Sequence, residues 1–376
     1  MPAATHAGVR KQLDLLVRPG LGIEPVVPEL ARIVRCLVGA EGCFIGWFDR
    51  HGAPEGFFHD SAPVVSQELF LNSYQELFVG PHELTIFWLL AHKCRAVGNM
   101  LSVDKAFYKS NTYNLLFKPC HHHFGLDLKI DVNGVTRMVI ELFRAQANPF
   151  SEGDAQRLHS LTPALQMAVA KIAGSTSAGN QAGNASSRRA AVEPGHLLVS
   201  PDGTRITMIN EQAIGLLRLT NLFDQGIRLI GRFSAPPRFI SQICAQLNVG
   251  SQAIARSSLD VLGGSLAMSA TWIWPPTIAN AHDAGVAGIC ASDKNILVTI
   301  EFQRPSALDV VRNITQLGLS PLQSRIAMFA ASGGSRADCA GQHQVSKEAL
   351  KKHLREIYAA SLCADWQELA VQLNAP

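Results

Sequence analysis

Apolar and polar positions alternate most plainly where Phe124, Leu126, Leu128 and Ile130 interleave with Gly125, Asp127 and Lys129, a period of two that predicts a half-buried strand. Asn133-Gly134 then supplies a turn, a second strand is predicted over 136–143, and a helix over 151–172 opens on the capping sequence Ser151-Glu152-Gly153-Asp154. Upstream, a helix is predicted over 26–38, followed by an apolar run at 43–48, the turn Asp49-Arg50-His51-Gly52 and a second short run at 55–59. Helix, strand, tight turn and strand in that order signal an antiparallel hairpin. Helical segments rich in aromatic residues are predicted around 67–79 and 83–91.

Periodicity lapses over 174–194, where small and polar residues replace every apolar repeat. Such a stretch cannot bury a core and is predicted to be a flexible linker. Beyond it, runs at 196–200 and 205–210 flank an Asp202-Gly203 turn and precede a helix at 211–219, while 266–274 and 296–302 predict two further strands joined by a loop rich in Pro, Ala and Gly.

The end of the chain reads as short helices. Ser320-Pro321 with Gln323 combines an N-cap hydroxyl, a proline at the first helical position and a glutamine placed to complete a capping box. Gly333-Gly334 ends that helix, a short one is predicted over 336–342, and Ser346 can cap a longer one in which Leu350, Leu354, Ile357 and Tyr358 form an apolar stripe. Lys351, Lys352 and Arg355 fall beside that stripe. A short helix, a tight turn and a second helix with a basic exposed face is what entry into the DNA major groove requires.

At 376 residues, 47% of them hydrophobic and 17% charged, the chain has a globular composition and room for two or three domains. A net charge of +3 is too slight for a protein that coats nucleic acid, so any DNA contact must be local. No apolar stretch approaches bilayer-spanning length, and a soluble cytoplasmic protein is expected, with no membrane partner. The eight cysteines are scattered without a CxxC pair, as reduced thiols in the cytosol would be.

Cys120-His121-His122-His123 offers metal-binding side chains, yet neighbours on a strand point to opposite faces and could not all reach one ion. They are expected to be ordinary strand histidines, with no metal and no cofactor. Phe44, Trp47, Phe57, Phe58, Tyr74, Phe87, Trp88 and Tyr113 could line a pocket or simply fill a core. No nucleophile elbow, phosphate loop, zinc-protease helix or paired-carboxylate motif is present, so no catalytic residue is assigned and an enzyme is not expected.

The C-terminal motifs resemble the LuxR/NarL type of helix-turn-helix domain. The matches run in order and without gaps through Leu319-Ser320-Pro321, Gly333 with Ser335, Ala340, Val345-Ser346, Lys351 with His353-Leu354, Ile357-Tyr358 and Glu368-Leu369-Ala370. Departures fall at Gln323, Cys339, Ala349 and at His343-Gln344, where a small core residue and a turn glycine are usual. The first half, with Tyr113-Asn114, the histidine segment and Phe150-Ser151-Glu152-Gly153-Asp154, resembles a GAF domain, and the middle resembles a small PAS-type domain.

The resemblance implies an α+β protein: a GAF-like antiparallel sheet with flanking helices over 1–173, a linker over 174–194, a PAS-like domain over 195–305 and an all-α helix-turn-helix domain over 306–376. It implies a one-component transcription regulator that binds promoter DNA through Ser346, Lys347, Lys351, Lys352, His353, Arg355 and Arg336. A small-molecule effector is expected near Trp47, Phe58, Tyr113 and His122. Six basic residues against five acidic ones from Leu319 onward leave one domain weakly charged, so a homodimer formed through Trp366, Leu369 and Leu373 is expected, with RNA polymerase as a further partner to consider. The competing reading is an adaptor whose degenerate helix-turn-helix acts through protein partners.

Overall fold

A computed structural model describes residues 6–83, 85, 97–98, 105–177, 187–189, 192–220, 235–249, 253–273 and 294–375. The first sheet contains β1 (Gly42–Phe48), β2 (Pro54–His59), β3 (Val97–Gly98), β4 (Phe124–Val132) and β5 (Val135–Arg144). It is antiparallel in the order β2-β1-β5-β4-β3. Asn133 and Gly134 both take positive φ, 53° and 79°, the twist that a two-residue hairpin connection needs.

Alternation along these strands makes two different faces. Cys43, Ile45, Trp47, Leu126, Leu128, Ile130, Met138, Ile140 and Leu142 pack beneath α1 (His6–Leu16), α2 (Ile23–Val38), α5 (Glu152–His159) and α6 (Thr162–Ser177). The opposite face is aromatic. Phe44, Phe48, Phe57 and Phe143 meet Phe70 of α3 (Val64–Asn72), together with Phe107 and Phe117 from the segment before β4.

A second antiparallel sheet holds β6 (Ser187–Arg189), β7 (Gly195–Val199), β8 (Ile206–Ile209), β9 (Ile254–Val261), β10 (Gly264–Ile273) and β11 (Asn295–Pro305). Its main path is β8-β7-β11-β10-β9, the same succession as in the first sheet, with β6 added to β11. α7 (Glu211–Leu217) and α8 (Arg238–Val249) cover one face, whose core includes Leu197, Ile240, Ile243, Leu266, Val298 and Ile300.

β11 leads directly into a helical C-terminal unit: α9 (Ser306–Gln316), α10 (Pro321–Ala331), α11 (Arg336–Gln342), α12 (Lys347–Ser361) and α13 (Trp366–Leu373). Its core is continuous with the helical side of the first sheet. Lys11 of α1 donates to the carbonyl of Leu319, and Arg312 of α9 lies 3.4 Å from the buried Glu29 of α2. The architecture is mixed α+β with two antiparallel sheets and a helical end.

Several boundaries differ from expectation. The helix expected over 67–79 is α3 followed by a short α4 (Tyr74–Leu77), and the one expected over 151–172 breaks at Ser160-Leu161 into α5 and α6. The linker expected over 174–194 is partly regular: 174–177 completes α6 and Ser187–Arg189 pairs with β11. Strand addition at an edge needs only main-chain donors and acceptors, so a polar segment can supply it. The helix expected over 83–91, with Phe87 and Trp88, and the strand end at Trp274 lie outside the described residues, except for Glu83 and Thr85. Among the described residues no helix is long and apolar enough to cross a membrane.

Candidate ligand cavity and nucleic-acid interface

The aromatic face of the first sheet is the floor of a cavity of about 50 Å³. β1, β2 and β5 contribute Phe44, Phe57, His59, Glu141 and Phe143; α3 contributes Ser66, Gln67 and Phe70; a π-helical turn at Thr112–Phe117 contributes Thr112, Leu116 and Phe117. His122 closes one side. Its ring stacks on Phe143 at 4.4 Å between centroids and lies 5.5 Å from the nearly parallel ring of His59. Gly42 makes that position available, since a Cβ there would stand 2.4 Å from His122 Nε2.

Most polar groups around the cavity are satisfied within the protein. Ser66 Oγ donates to the Leu115 carbonyl at 2.7 Å, Gln67 Nε2 to the Ala62 carbonyl at 2.8 Å, and Thr112 Oγ1 to Glu83 at 2.5 Å. Thr85 and Tyr74 share a hydroxyl contact of 2.5 Å. The buried atoms Glu141 Oε1 and His122 Nδ1 have no partner, and neither does either carboxylate oxygen of Asp127. Asp127 stands directly opposite Glu141 in the β4–β5 register, so the two carboxyls share one face. Burial pushes both carboxyls upward, and their mutual repulsion adds to the rise at Asp127. Burial pulls His59 down to about 4 and His122 to about 3, which leaves both imidazoles neutral near neutral pH.

The histidine segment differs from the strand expected of it. β4 begins only at Phe124, while Lys118–Cys120 forms a 3₁₀ turn closed by His121 at φ 58°. Strand alternation therefore does not apply, and ligand atoms of Cys120, His122 and His59 come within 4.8 Å of one another. These are donors that zinc or copper accepts. The Nδ1 of His59, however, accepts from the amides of Ser61 and Ala62 at 3.2 and 3.1 Å, which puts the ring proton on Nε2. His59 is thereby set as a donor toward its surroundings rather than as a metal ligand.

Of the four expected effector contacts, only His122 lines this cavity. Trp47 and Phe58 project to the opposite side of the sheet, into or against the aliphatic core. Tyr113 packs in the aromatic cluster, with its hydroxyl 3.0 Å from His123 Nδ1. Parity explains the error, because Phe44 and Phe57 point to the cavity and the adjacent odd or even partners point away. The missed residues Glu141 and His59 carried the same parity signal as Phe143 and Phe57.

In the C-terminal unit, Ser320 and Gln323 form the expected capping box, with Gln323 Oε1 accepting from the Ser320 amide at 2.7 Å. The Gln323 amide also donates to Glu356 and so ties α10 to α12. Ser346 caps α12 through the Ala349 amide at 3.1 Å. Leu350, Leu354 and Ile357 are buried, while Ser346, Lys347, Lys351, Lys352 and Arg355 are exposed, as is Arg336 on α11. His353 is half-buried with Nδ1 shut off from solvent, so it belongs to the inner side of the helix.

The strip expected to form a dimer is used inside the domain. Leu369 and Leu373 are buried in its core, and Trp366 Nε1 donates to the Gly334 carbonyl at 2.9 Å. Closing so small a core takes both leucines, while Trp366 and Ala370 stay half-buried. Val371 is the large apolar residue that α13 leaves exposed. At the departures from the usual pattern, His343 sets its ring edge-on to Phe329 at 5.7 Å, and Gln344 adopts φ 55°.

No protein-family model matches the chain, and no curated protein matches it. Among solved structures it is similar to an N-acylhomoserine lactone dependent LuxR family transcription factor, CepR2 from Burkholderia cenocepacia, at 14% identity and TM-score 0.31, over 45% of this chain and 96% of that one. It is similar to the VqsR ligand-binding domain from Pseudomonas aeruginosa at 16% identity and TM-score 0.29, over 44% of this chain and 94% of that one. A GAF domain/HD domain protein from Geobacter sulfurreducens matches at 16% identity and TM-score 0.26, over 46% and 98%. Likenesses this distant do not bear on activity.

Proposed function

We propose that the protein is a one-component transcription regulator in which the cavity on the first sheet receives a small molecule and the C-terminal helices bind promoter DNA. The observation that carries the reading is α12: a capped helix, held from behind by Leu350, Leu354 and Ile357, presents Lys347, Lys351, Lys352 and Arg355 outward next to the short α11. Cations on one exposed helical face reach phosphates and base edges when the helix enters a major groove.

The continuous core between the C-terminal helices and α1 and α2 supplies a physical route by which the sensor side can bias the DNA-binding side. Pairing of two copies on DNA has to use surfaces other than Leu369 and Leu373. The test is selection of genomic fragments by the full-length protein, followed by titration of a selected fragment across salt concentrations. Specific binding that weakens steeply with salt is expected. Failure to select any fragment, together with retention of a protein partner, would favour the adaptor reading.

A further inference from the structure

The unpaired carboxyls beneath the cavity bear on the chemistry of its ligand, an inference that rests on the cavity being the effector site. Glu141 is 7% exposed and Asp127 4%, and the three oxygens without partners show that the two groups are not hydrogen-bonded even to each other. A buried carboxylate without a donor or counter-charge is costly, and two side by side repel. Among the described residues no lysine or arginine lines the cavity, and its two imidazoles are neutral near neutral pH. The other walls include five phenyl rings, among them a T-shaped pair, Phe57 and Phe70, at 5.2 Å, together with the hydroxyl and amide groups of Ser66, Gln67 and Thr112.

We propose that the cavity takes a small organic ammonium ion, whose N–H groups meet Glu141 with Asp127 behind it and whose carbon part lies among Phe44, Phe57, Phe70 and Phe143. An ammonium group brings three donors and no acceptor, which matches carboxyl oxygens that have no partner and become acceptors once the bound proton is displaced. Phenyl faces attract a cation as well as an alkyl group. An anion would find no lysine, arginine or charged imidazole on the described walls to pair with. A neutral alcohol would supply one donor and no charge.

The titratable groups around Glu141 are Asp127 opposite it on β4, His59 on β2 and His122 before β4, both of which line the same cavity, and the buried Cys43 of β1 on the aliphatic side of the sheet. Because burial favours the protonated carboxyls, binding a cation expels a proton from the pair. Calorimetric titration of the full-length protein with ethylammonium chloride at constant ionic strength, run in phosphate and in the bulky zwitterionic buffer HEPES, tests this. Ethanol serves as the neutral probe and propionate as the anionic one. Ethylammonium is expected to bind at least tenfold more tightly than ethanol, with proton release seen as different heats in the two buffers and propionate inert. Glu141→Gln should abolish the preference, and Asp127→Asn should reduce it.

Equal binding of ethylammonium and ethanol, or an unchanged preference in Glu141→Gln, overturns the cation proposal and leaves the cavity standing as a ligand site. Absence of binding by every probe overturns both. The DNA-binding half of the proposed function is read separately, in the salt titration.

Discussion

Arg144 is a side chain whose loss should strongly destabilise the first sheet and its helices. It is 7% exposed, and its guanidinium donates to the carbonyl of Gly39 at 3.2 Å, to that of Val38, to that of Pro149 at 3.2 Å and to Asp154 at 3.1 Å. The group also lies 4.3 Å above the Phe150 ring. One arginine thus closes the C-terminal end of α2 and orients the start of α5, where Asp154 and Ser151 form a capping box. In Arg144→Met the stem is kept and the donors are lost. The buried Val38 carbonyl left without its donor costs about 1 kcal/mol, the part-buried carbonyls of Gly39 and Pro149 cost less because water can reach them, and breaking a buried ion pair costs roughly 3–5 kcal/mol. These terms overlap, so a loss of about 4 kcal/mol is expected.

Arg157 provides the internal comparison, because it also contacts Asp154 but its side chain is 55% exposed. Arg157→Ala should cost under about 1 kcal/mol, as solvent-screened pairs do. Urea unfolding followed by far-UV circular dichroism, with each midpoint shift multiplied by the common slope, gives both values. A loss below about 1.5 kcal/mol for Arg144→Met, or equal losses for the two variants, would refute the view that burial decides the strength of these contacts.

At Gln344, φ of 55° strains a residue with a side chain, so Gln344→Gly should stabilise the C-terminal unit by about 0.5–1 kcal/mol, the left-handed penalty of ~1–2 kcal/mol less the greater chain entropy of glycine. Thermal unfolding of both proteins checks it, and a lowered midpoint in the variant would contradict it. The Asp127–Glu141 pair has raised folded-state pKa values, so its contribution is fully present below the unfolded carboxylate range near 4 and is lost as pH rises through the folded values. The double variant Asp127→Asn, Glu141→Gln should therefore gain stability over the wild type increasingly from pH 5 to pH 8, by an amount on the order of 2 kcal/mol. A pH-independent difference in urea midpoint would refute the assignment.

Much of the fold was legible because its signals are local. The alternation at Phe124–Ile130, the Asn133-Gly134 turn and the caps at Ser151, Ser320 and Ser346 each depend on residues a few positions apart, and each lies where expected. β6 was missed because its pairing uses backbone groups of a polar segment with no periodic pattern. The cavity was only half legible. Choosing aromatic residues by type placed Trp47 and Phe58 in it, whereas strand parity would have separated them from Phe44 and Phe57. His59, Glu141 and His122 meet only when β2, β5 and the turn before β4 are brought together, a juxtaposition that no sequence spacing records. Leu369 and Leu373 form a true apolar stripe, but the stripe itself does not tell whether a helix buries it within its own domain or against a partner.

Fluorescence anisotropy of a selected genomic fragment, titrated with the wild type and with the double variant Lys351→Ala, Arg355→Ala at several salt concentrations, tests the central claim most directly. Both side chains are exposed on α12, so the variant should fold as the wild type does. Each phosphate contact contributes about 0.9 to the slope of log affinity against log salt, and loss of both in one copy should lower the slope by up to roughly 2 with at least a tenfold fall in affinity. Unchanged affinity and slope in the double variant would contradict the assignment of α12 as the DNA-reading helix.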